Sequence, residues 1–312
     1  MPSFDSAYAR QLALLVDVLP QVAEEVDFAL KGGTAINLFF RDLPRLSVDI
    51  DLAWLPLDDR AVALRGIAAA LARIATRLRE RLHCQVQTKT TLDSVPAGLT
   101  IRRERVGIKI DVTPVLRGSV FAPELRSLRP LAAERFGYLE VRTLGFADLF
   151  AGKLVAALDR QHPRDLFDVM HLFANEGLTD ELWSAFLIYL TAATRPTVEL
   201  IDPNRHALQT SFVSEFSGMT EQVVEMSALE QAREQLITSL HARIDDNVRA
   251  FLLSIEHEAP EWDRLALPAH VAHLPAIRWK LLNLGNRSRV KREADLRRLA
   301  ETLERITENR NR

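Results

Sequence analysis

The sequence predicts an α/β (α+β) protein with two domains. We expect a mixed β-sheet flanked by helices in residues 1–145 and a helical C-terminal domain in residues 146–312. In the first part, apolar and polar residues alternate over short stretches, which is the period of a β-strand. In the second part, apolar residues recur at helical spacing almost throughout. The length of 312 residues exceeds one average domain, so we expect two.

The composition is that of an ordinary globular protein. Apolar residues make up 47% of the chain and charged residues 26%, which suffices for a sizeable core. The net charge of −2 excludes a globally basic nucleic-acid binder, although a basic surface can be local. Cys84 is the single cysteine, which excludes an intramolecular disulfide and a cysteine-based zinc site. Signal-peptide and membrane-span patterns are absent from the sequence, so we expect a cytoplasmic protein without membrane contact.

The first part of the chain alternates helices and strands. An amphipathic helix over residues 4–24 should be interrupted near Pro20. The stretch from residue 31 to 54, KGGTAINLFFRDLPRLSVDIDLAW, predicts a strand end, a glycine turn, a helix, a loop and a second strand. A long helix should follow, capped by Asp58 or Asp59.

Further strands should complete the sheet. We expect a strand from Cys84 to residue 91, with a buried thiol at its start, and a hairpin of strands 99–105 and 106–115. The turn of this hairpin should lie near Gly107 or the Arg-Glu pair before it. Residues 136–142 suggest a last strand or a sheet edge.

The second part predicts a series of helices. The first covers 147–160, and the second begins at Pro163 and ends at Gly177. Others should cover about 179–193, 220–245, 246–257 and 288–309, with looser segments around Pro196, Pro203 and 260–275.

Two carboxylates lie on one face of the second strand. Because side chains alternate along a strand, Asp49 and Asp51 point the same way, where they repel each other unless a cation lies between them. Mg²⁺ is commonly held by one or two carboxylates and the phosphates of a substrate. Gly33 and Thr34, at a helix start, should bind those phosphates. A solvated strand edge is the alternative, which the upstream glycine turn disfavours.

A third carboxylate and a lysine extend this pattern. Asp111 has an apolar residue on each side, as Asp49 and Asp51 do. Such an acid can accept the proton of an attacking hydroxyl, and Lys153 on a nearby helix can act as a point charge on phosphates. These groups together suit metal-assisted transfer of a nucleotide. Taken singly, each also fits a surface residue.

These segments resemble the AbiEii/MenT-like nucleotidyltransferases, toxins of type IV toxin-antitoxin systems within the DNA polymerase β-like superfamily. The resemblance covers roughly residues 28–175 and fades beyond residue 180. The family's three motifs are a glycine and small residue followed by D-x-D, then K-x-D, then a lysine with a basic-Asp-x-x-Asp element. The matching positions are Gly33, Thr34, Asp49, Asp51, Lys109, Asp111, Lys153, Arg160, Arg164, Asp165 and Asp168. Thr34 replaces a common serine and keeps the hydroxyl.

The resemblance implies a nucleotidyltransferase-type sheet, a nucleoside triphosphate donor, Mg²⁺, transfer of nucleotides to RNA, foremost the 3′ end of tRNA, and a cognate antitoxin. Whether the antitoxin binds directly is left open. The implied catalytic residues are Asp49, Asp51, Asp111, Lys153 and Asp168. The implied nucleotide-binding residues are Gly33, Thr34, Lys153, Arg164 and Asp165. The implied metal ligands are Asp49, Asp51 and Asp111.

Other functions stay open at this point. The acceptor can instead be a small molecule such as an antibiotic, or a protein hydroxyl, and a binding module with a dead site is disfavoured by the retained acids. Modification of Ser47, two residues before Asp49, is a hypothetical off-switch.

Two basic clusters are candidate contacts for an RNA backbone, or else exposed faces of paired charges. They are Arg102, Arg103 and Arg105, and Arg287, Arg289, Lys291 and Arg292.

Overall fold

The structure, a computed structural model, describes residues 6–91 and 95–310. It divides into two compact units, Met1–Leu149 with Ser217–Val223, and Phe150–Phe216 with Val224–Arg312. The proposed domain boundary after residue 145 lies close to the first division and stays a prediction. None of the helices in the described part of the chain is long and apolar enough to cross a membrane.

The first unit is built on a mixed seven-stranded sheet, as predicted. Its strands are β1 (Phe28–Lys31), β2 (Asp49–Trp54), β3 (Gln85–Thr90), β4 (Pro96–Arg103), β5 (Val106–Val112), β6 (Glu124–Ser127) and β7 (Glu140–Thr143). They are ordered β3-β4-β5-β2-β1-β7-β6. β2 runs parallel to β5, and β1 parallel to β7, while the other neighbours are antiparallel. The central strands therefore bring together segments far apart in the sequence.

The first unit also contains helices. They are α1 (Ser6–Ala23), α2 (Gly32–Ala35), α3 (Arg60–Leu82) and α4 (Pro130–Phe136), with a π-helical segment at Ile36–Phe40. α1 and α3 contact each other, and they pack on β5 and β4. Pro20 lies inside α1, so the predicted interruption is wrong; the buried apolar stripe of α1 offsets the missing N–H. Asp59 precedes α3 without making a side-chain capping bond, contrary to expectation.

The strands β3, β4 and β5 have two different faces. Leu99, Ile101, Ile108 and Ile110 are at most 3% exposed and form the face on which α1 and α3 pack. Their sequence neighbours point to the other side, because side chains alternate along a strand. We call that side the open face. Its residues are Gln85, Gln87, Lys89, Gly98, Thr100, Arg102, Gly107, Lys109 and Asp111.

Several local predictions for the first unit need correction. The β4–β5 turn lies at Glu104 and the following arginine, which confirms the predicted position at the Arg-Glu pair; Glu104 has φ +56°, and the alternative position, Gly107, is paired with Arg102 inside the ladder. The predicted strand at residues 136–142 begins only at residue 140, and the edge strand β6 was not predicted. Cys84 is buried just before β3, as expected, and burial raises the pKa of its thiol. Residues 4 and 5 of the predicted first helix lie outside the described residues.

The second unit is helical, as predicted. Its helices are α5 (Phe146–Asp159, which begins in the first unit), α6 (Pro163–Asn175), α7 (Asp180–Ala192), α8 (Thr197–Ile201), α9 (Gln209–Glu215), α10 (Met226–Arg243), α11 (Asp246–Glu256), α12 (Pro275–Gly285) and α13 (Arg289–Arg310), with 3₁₀ turns at Trp262–Arg264 and Ala269–His273. α6 packs on α10, α7 on α12 and α11 on α13. α8, α9 and α12 lie in segments expected to be loose or unassigned. Pro275 opens α12, because proline suits the first helical position.

An ion-pair cluster ties the end of α1 to α3. The Glu25 carboxylate, with a side chain 7% exposed, lies 2.5 Å from Arg73 Nη2 and 2.7 Å from Arg77 Nη2. Burial alone would raise the pKa of Glu25, but the two guanidinium groups outweigh it and the pKa is lowered. Glu25 therefore stabilises the fold in its charged form.

We predict that Glu25→Gln lowers the free energy of unfolding by about 2 kcal/mol at pH 7, because charge-assisted hydrogen bonds are lost at a buried site. Glu24→Gln is the matched control; its side chain is 43% exposed beside Arg77 and Arg81, and should cost at most about 1 kcal/mol. Since the folded pKa of Glu25 lies below the ordinary 4.5, its contribution is present above pH 4.5 and is lost as the pH falls through the folded value. Urea denaturation at several pH values measures both effects, and equal losses in the two variants would contradict the prediction.

Candidate active site

Three carboxylates lie on one face at the centre of the sheet. In the parallel pairing of β2 with β5, Asp51 stands beside Asp111 and Asp49 beside Lys109. Residues paired in this way point to the same side of a sheet. The structure thus brings Asp49, Asp51 and Asp111 to one face, although more than fifty residues separate the D-x-D pair from the third acid.

A lysine flanks this acid pair on each side. Lys31 of β1 is the register partner of Asp51, and its Nζ donates to Thr113 Oγ1 at 3.2 Å. Burial lowers the pKa of Lys31, and Asp51 counteracts part of that change. On the other side, Lys89 Nζ lies 2.6 Å from Asp111 Oδ1. The two lysines offset the repulsion between neighbouring carboxylates.

A glycine in β4 lets Lys89 reach Asp111. The register runs from Lys89 to Gly98 and on to Asp111, so the lysine side chain crosses an intervening strand. A Cβ at Gly98 would lie 2.1 Å from the Ile110 carbonyl oxygen and 3.2 Å from Asp111 Oδ1. Neither Lys89 nor Gly98 was predicted from the sequence. Alternation along each strand gives their faces, but only the pairing register places them in one row.

The glycine turn after β1 lies against the Asp51 carboxylate. Gly32 has φ +73°, and a Cβ there would lie 2.4 Å from Asp51 Oδ2. At Gly33 a Cβ would lie 2.7 Å from Arg45 Nη2 and 2.8 Å from Ser47 Oγ. Position 32 therefore requires glycine, whereas a side chain at position 33 would have to displace the ends of the Arg45 and Ser47 side chains; the turn brings its backbone directly to the acid.

Thr34 holds β2 in place. It is 0% exposed, and its Oγ1 donates to the backbone carbonyl of Asp49 at 2.5 Å. The same hydroxyl lies 3.1 Å from Ser47 Oγ. In this conformation Thr34 fixes the backbone of Asp49, while phosphate binding by Gly33 and Thr34, and modification of Ser47, stay predictions.

In the second unit, a buried lysine lies between two aspartates. Lys153 Nζ of α5 lies 2.7 Å from Asp165 Oδ1 and 3.0 Å from Asp168 Oδ2, with side chains 7%, 1% and 1% exposed. Arg160 Nε also contacts Asp165 Oδ2, at 2.5 Å. Burial would raise the pKa of Asp165, but Lys153 and Arg160 outweigh it and hold the pKa well below its usual range. Asp165 therefore fixes the lysine rather than presenting an open ligand.

The start of α6 carries the remaining predicted residue. The backbone N–H of Arg164 donates to His162 Nδ1 at 3.1 Å, so the neutral ring carries its proton on Nε2, which lies 3.1 Å from Glu215 Oε2. Burial lowers the pKa of His162, although Glu215 and Asp165 oppose the shift. The Arg164 guanidinium, 32% exposed, lies 3.8 Å from the same Glu215 oxygen. The Arg164 side chain is thus partly accessible from solvent.

A metal ion would have to be held by few protein ligands. Across residues 6–91 and 95–310, the structure contains no group of three or more acidic, histidine or cysteine side chains arranged to hold one. Asp111, a predicted ligand, is paired with Lys89. Asp49 and Asp51 offer carboxylate oxygens, which suit Mg²⁺ when substrate phosphates supply further ligands.

The sequence matches a protein-family model over most of its length. The model describes the nucleotidyl transferase AbiEii toxin of type IV toxin-antitoxin systems and matches residues 13–281. The chain belongs to this family. The match of the AbiEii model continues well beyond residue 175, where the motif-based resemblance was expected to end.

One solved structure shows the same fold. The AbiEii chain is similar to MenT4, a nucleotidyltransferase toxin from Mycobacterium tuberculosis, with a TM-score of 0.57, 17% identity, and coverage of 89% of this chain and 94% of that one. A weaker likeness, with a TM-score of 0.44 and 15% identity, links it to a protein from H. pylori described as a nucleotidyltransferase. That likeness covers 75% of this chain and 98% of the other, and supports no inference. No curated protein sequence matches the chain.

Family membership establishes the general activity. As an AbiEii toxin the protein is a nucleotidyltransferase of a type IV toxin-antitoxin system. A nucleoside triphosphate donor and an antitoxin follow from that membership. The predicted site residues fall into two groups. The first unit contains the three strand acids with Gly33 and Thr34, and the second contains Lys153, Arg164, Asp165 and Asp168.

We predict that Gly98→Ala lowers the free energy of unfolding by about 2–3 kcal/mol, because the new Cβ would overlap the Ile110 carbonyl oxygen. Gly107→Ala is the matched control on the same face; its Cβ would meet Arg102 Cγ at an ordinary 3.6 Å, so stability should change by less than about 1 kcal/mol. Thermal unfolding of both variants measures the difference. Equal stability of Gly98→Ala and wild type would show that β4 can shift, and that the place where the Lys89 side chain crosses Gly98 is not tightly packed.

We also predict that Asp165→Asn lowers the free energy of unfolding by about 3 kcal/mol, because Lys153 loses a buried charged partner. Asp159→Asn is the control: Asp159 pairs with Arg195 at 2.5 Å but is 43% exposed, so the loss should be at most about 1 kcal/mol. Since the folded pKa of Asp165 lies below the ordinary 3.8, its stabilisation is present above that pH and is lost as the pH falls further. Denaturation at pH 7 measures both variants, and a smaller loss for Asp165→Asn than for the control would refute the assignment.

Proposed function

We propose that this AbiEii toxin transfers nucleotides from a nucleoside triphosphate to RNA in a Mg²⁺-dependent reaction, with the 3′ end of tRNA as the acceptor. The observation that supports it is the in-register placement of Asp51 and Asp111 beside the Gly32–Gly33 turn. Asp51 lies against the turn, where the donor phosphates are expected, and Asp111 belongs to the open face. Donor and acceptor therefore have adjacent places on one face. Because tRNA is a cytoplasmic molecule, we also propose that the toxin is located in the cytoplasm.

Asp49 and Asp51 are the proposed Mg²⁺ ligands, and the residues fit this role. Their oxygens are the ligand type that Mg²⁺ prefers, and Asp51 Oδ2 lies against a turn where only glycine leaves room. Bound Mg²⁺ would neutralise charge on the donor phosphates and hold them in line for attack. Asp111, whose Oδ1 lies 2.6 Å from Lys89 Nζ, stays the third proposed ligand, and we also propose that it accepts the proton of the attacking hydroxyl.

In the proposed reaction, the 3′-hydroxyl oxygen of the acceptor forms a bond to the α-phosphorus of the donor. The bond from that phosphorus to the oxygen bridging to the β-phosphate breaks, and pyrophosphate leaves. Asp111 accepts the proton of the attacking hydroxyl. Lys153 is proposed to bind donor phosphates as a point charge, with Asp165 and Asp168 fixing its position, and Arg164 to contact the nucleotide.

The test uses purified protein, Mg²⁺, total tRNA and each of the four labelled nucleoside triphosphates in turn. Wild type should place label in RNA, and Asp51→Asn should reduce the rate by at least about 10³-fold, because an amide cannot replace a metal-binding carboxylate. Asp59→Asn is the control, since Asp59 is exposed and makes no capping bond. It should retain wild-type activity. Unfolding temperatures verify that both variants fold.

Two other results would change the conclusion. Label in a small molecule or in protein, with none in RNA for all four donors, would replace RNA by one of the alternative acceptors. Undiminished activity of Asp51→Asn would exclude Asp51 as a metal ligand in the reaction.

A further inference from the structure

We propose that the open face of β3, β4 and β5 binds the acceptor RNA strand by its phosphate backbone and directs the 3′ end towards Asp111. This inference rests on the proposed function and assigns it a substrate surface. It concerns a sheet face in the first unit, beside the carboxylate pair. The ligand that we propose for this face is single-stranded RNA.

The pairing register arranges this face in three rows that cross the strands. The first row contains Lys89, Gly98 and Asp111, and continues to Asp51 and Lys31. The second contains Gln87, Thr100 and Lys109, and continues to Asp49. The third contains Gln85, Arg102 and Gly107. The face is thus continuous with the proposed active site through two of its rows.

The side chains of the second and third rows are open to solvent. Gln85, Gln87, Arg102 and Lys109 are all exposed, whereas the opposite face of the same strands is buried under α1 and α3. Arg102 and Lys109 form no ion pair with any residue that the structure describes. Their charges are therefore available to a ligand.

The charge of the face suits a polyanion. Lys89, Arg102 and Lys109 are cations, the two glutamines and Thr100 can donate hydrogen bonds, and the acids are those of the proposed active site. Lysine and arginine contacts to phosphates supply most sequence-independent affinity for nucleic acids. The face has no aromatic side chain, so binding here should not depend on base stacking.

Two residues of this face are glycines. Gly98, in the middle of the first row, is buried, whereas Gly107 lies at the end of the third row, where the Arg102 stem passes with Cγ 3.6 Å from the position of a Cβ. From the row of Asp111 to the row of Arg102 the strands extend about 13 Å, at about 3.3 Å per residue. An extended RNA backbone can lie along this distance with its end at the acid.

Most other residues of the two predicted basic clusters are paired with acids of the same chain. Arg103 faces the helix layer, where it lies 2.6 Å from Asp17 Oδ2. In the C-terminal region Arg287 pairs with Asp295, Arg289 with Glu293 and Arg292 with Glu258. These internal pairs compete with phosphate for the guanidinium groups. The open face is favoured because Arg102 and Lys109 have no such competitor among the described residues and lie on one face with the proposed active site.

The test measures binding of a fluorescent single-stranded RNA of about 12 nucleotides by anisotropy, without nucleoside triphosphate. Salt is varied from about 50 to 200 mM, and the two proteins compared are wild type and Arg102→Ala/Lys109→Ala. Removing one phosphate-binding cation should reduce the slope of log affinity against log salt by about 0.7, so the slope of the double variant should be smaller by about 1.4. Its affinity should fall about tenfold or more at the lowest salt.

The matched control is Arg10→Ala/Arg65→Ala. Both arginines are exposed on α1 and α3, which cover the opposite face, and the variant removes the same charge. The control should keep the wild-type slope. An equal fall in RNA affinity in both double variants would show a nonspecific charge effect and overturn the proposal. Unchanged RNA binding by Arg102→Ala/Lys109→Ala would also overturn it, and would do so even if the face proved to bind an acidic protein.

Labelling of tRNA, measured in parallel, separates the two proposals. If wild type labels tRNA and the double variant binds RNA normally, the surface assignment fails and the proposed function stands. If wild type neither binds nor labels RNA, the RNA acceptor fails, and the surface assignment fails with it.

Discussion

The parallel pairing of β2 with β5 is the constraint on which the first unit depends. It places Asp51 beside Asp111, two like charges at the centre of a sheet, and such a pair is tolerated only if cations offset it. The structure supplies Lys31 on one side and Lys89 on the other. The glycines at positions 32 and 98 then follow from geometry, since each leaves the space that one acid requires. The acids, lysines and glycines form one transverse row.

This row explains why the sheet can host an acid-rich site without a bound partner. Each carboxylate has a neighbour of opposite charge, and Thr34 fixes the backbone from which Asp49 projects. In the lysine cluster of the second unit the charged groups also have neighbours of opposite charge, and they are more deeply buried, with Lys153 between two buried aspartates. In both places an ionisable group to which we propose a role in the reaction is held by a partner of opposite sign.

The alternation of Asp49, Ile50 and Asp51 was sufficient to predict the strand and its acidic face, and helical spacing was sufficient for α5 and α6. Pairing between distant segments was not predictable, because the sequence of one strand does not name its neighbour. Lys89 and Gly98 were missed for that reason, as was the short edge strand β6. Likewise, Pro275 looks like a helix breaker in sequence, yet in a packed chain it begins α12.

The two lysines of the transverse row differ in their exposure to water. Lys89 and Asp111 are 52% and 36% exposed, so dissolved ions can screen their attraction. Lys31 is shielded enough for burial to lower its pKa, and screening there is weaker. Ionic strength therefore affects the two ends of the row differently. Added salt weakens the attraction between Lys89 and Asp111 and leaves that between Lys31 and Asp51 nearly unchanged. The electrostatic balance between the two central acids is thus a function of the surrounding solution.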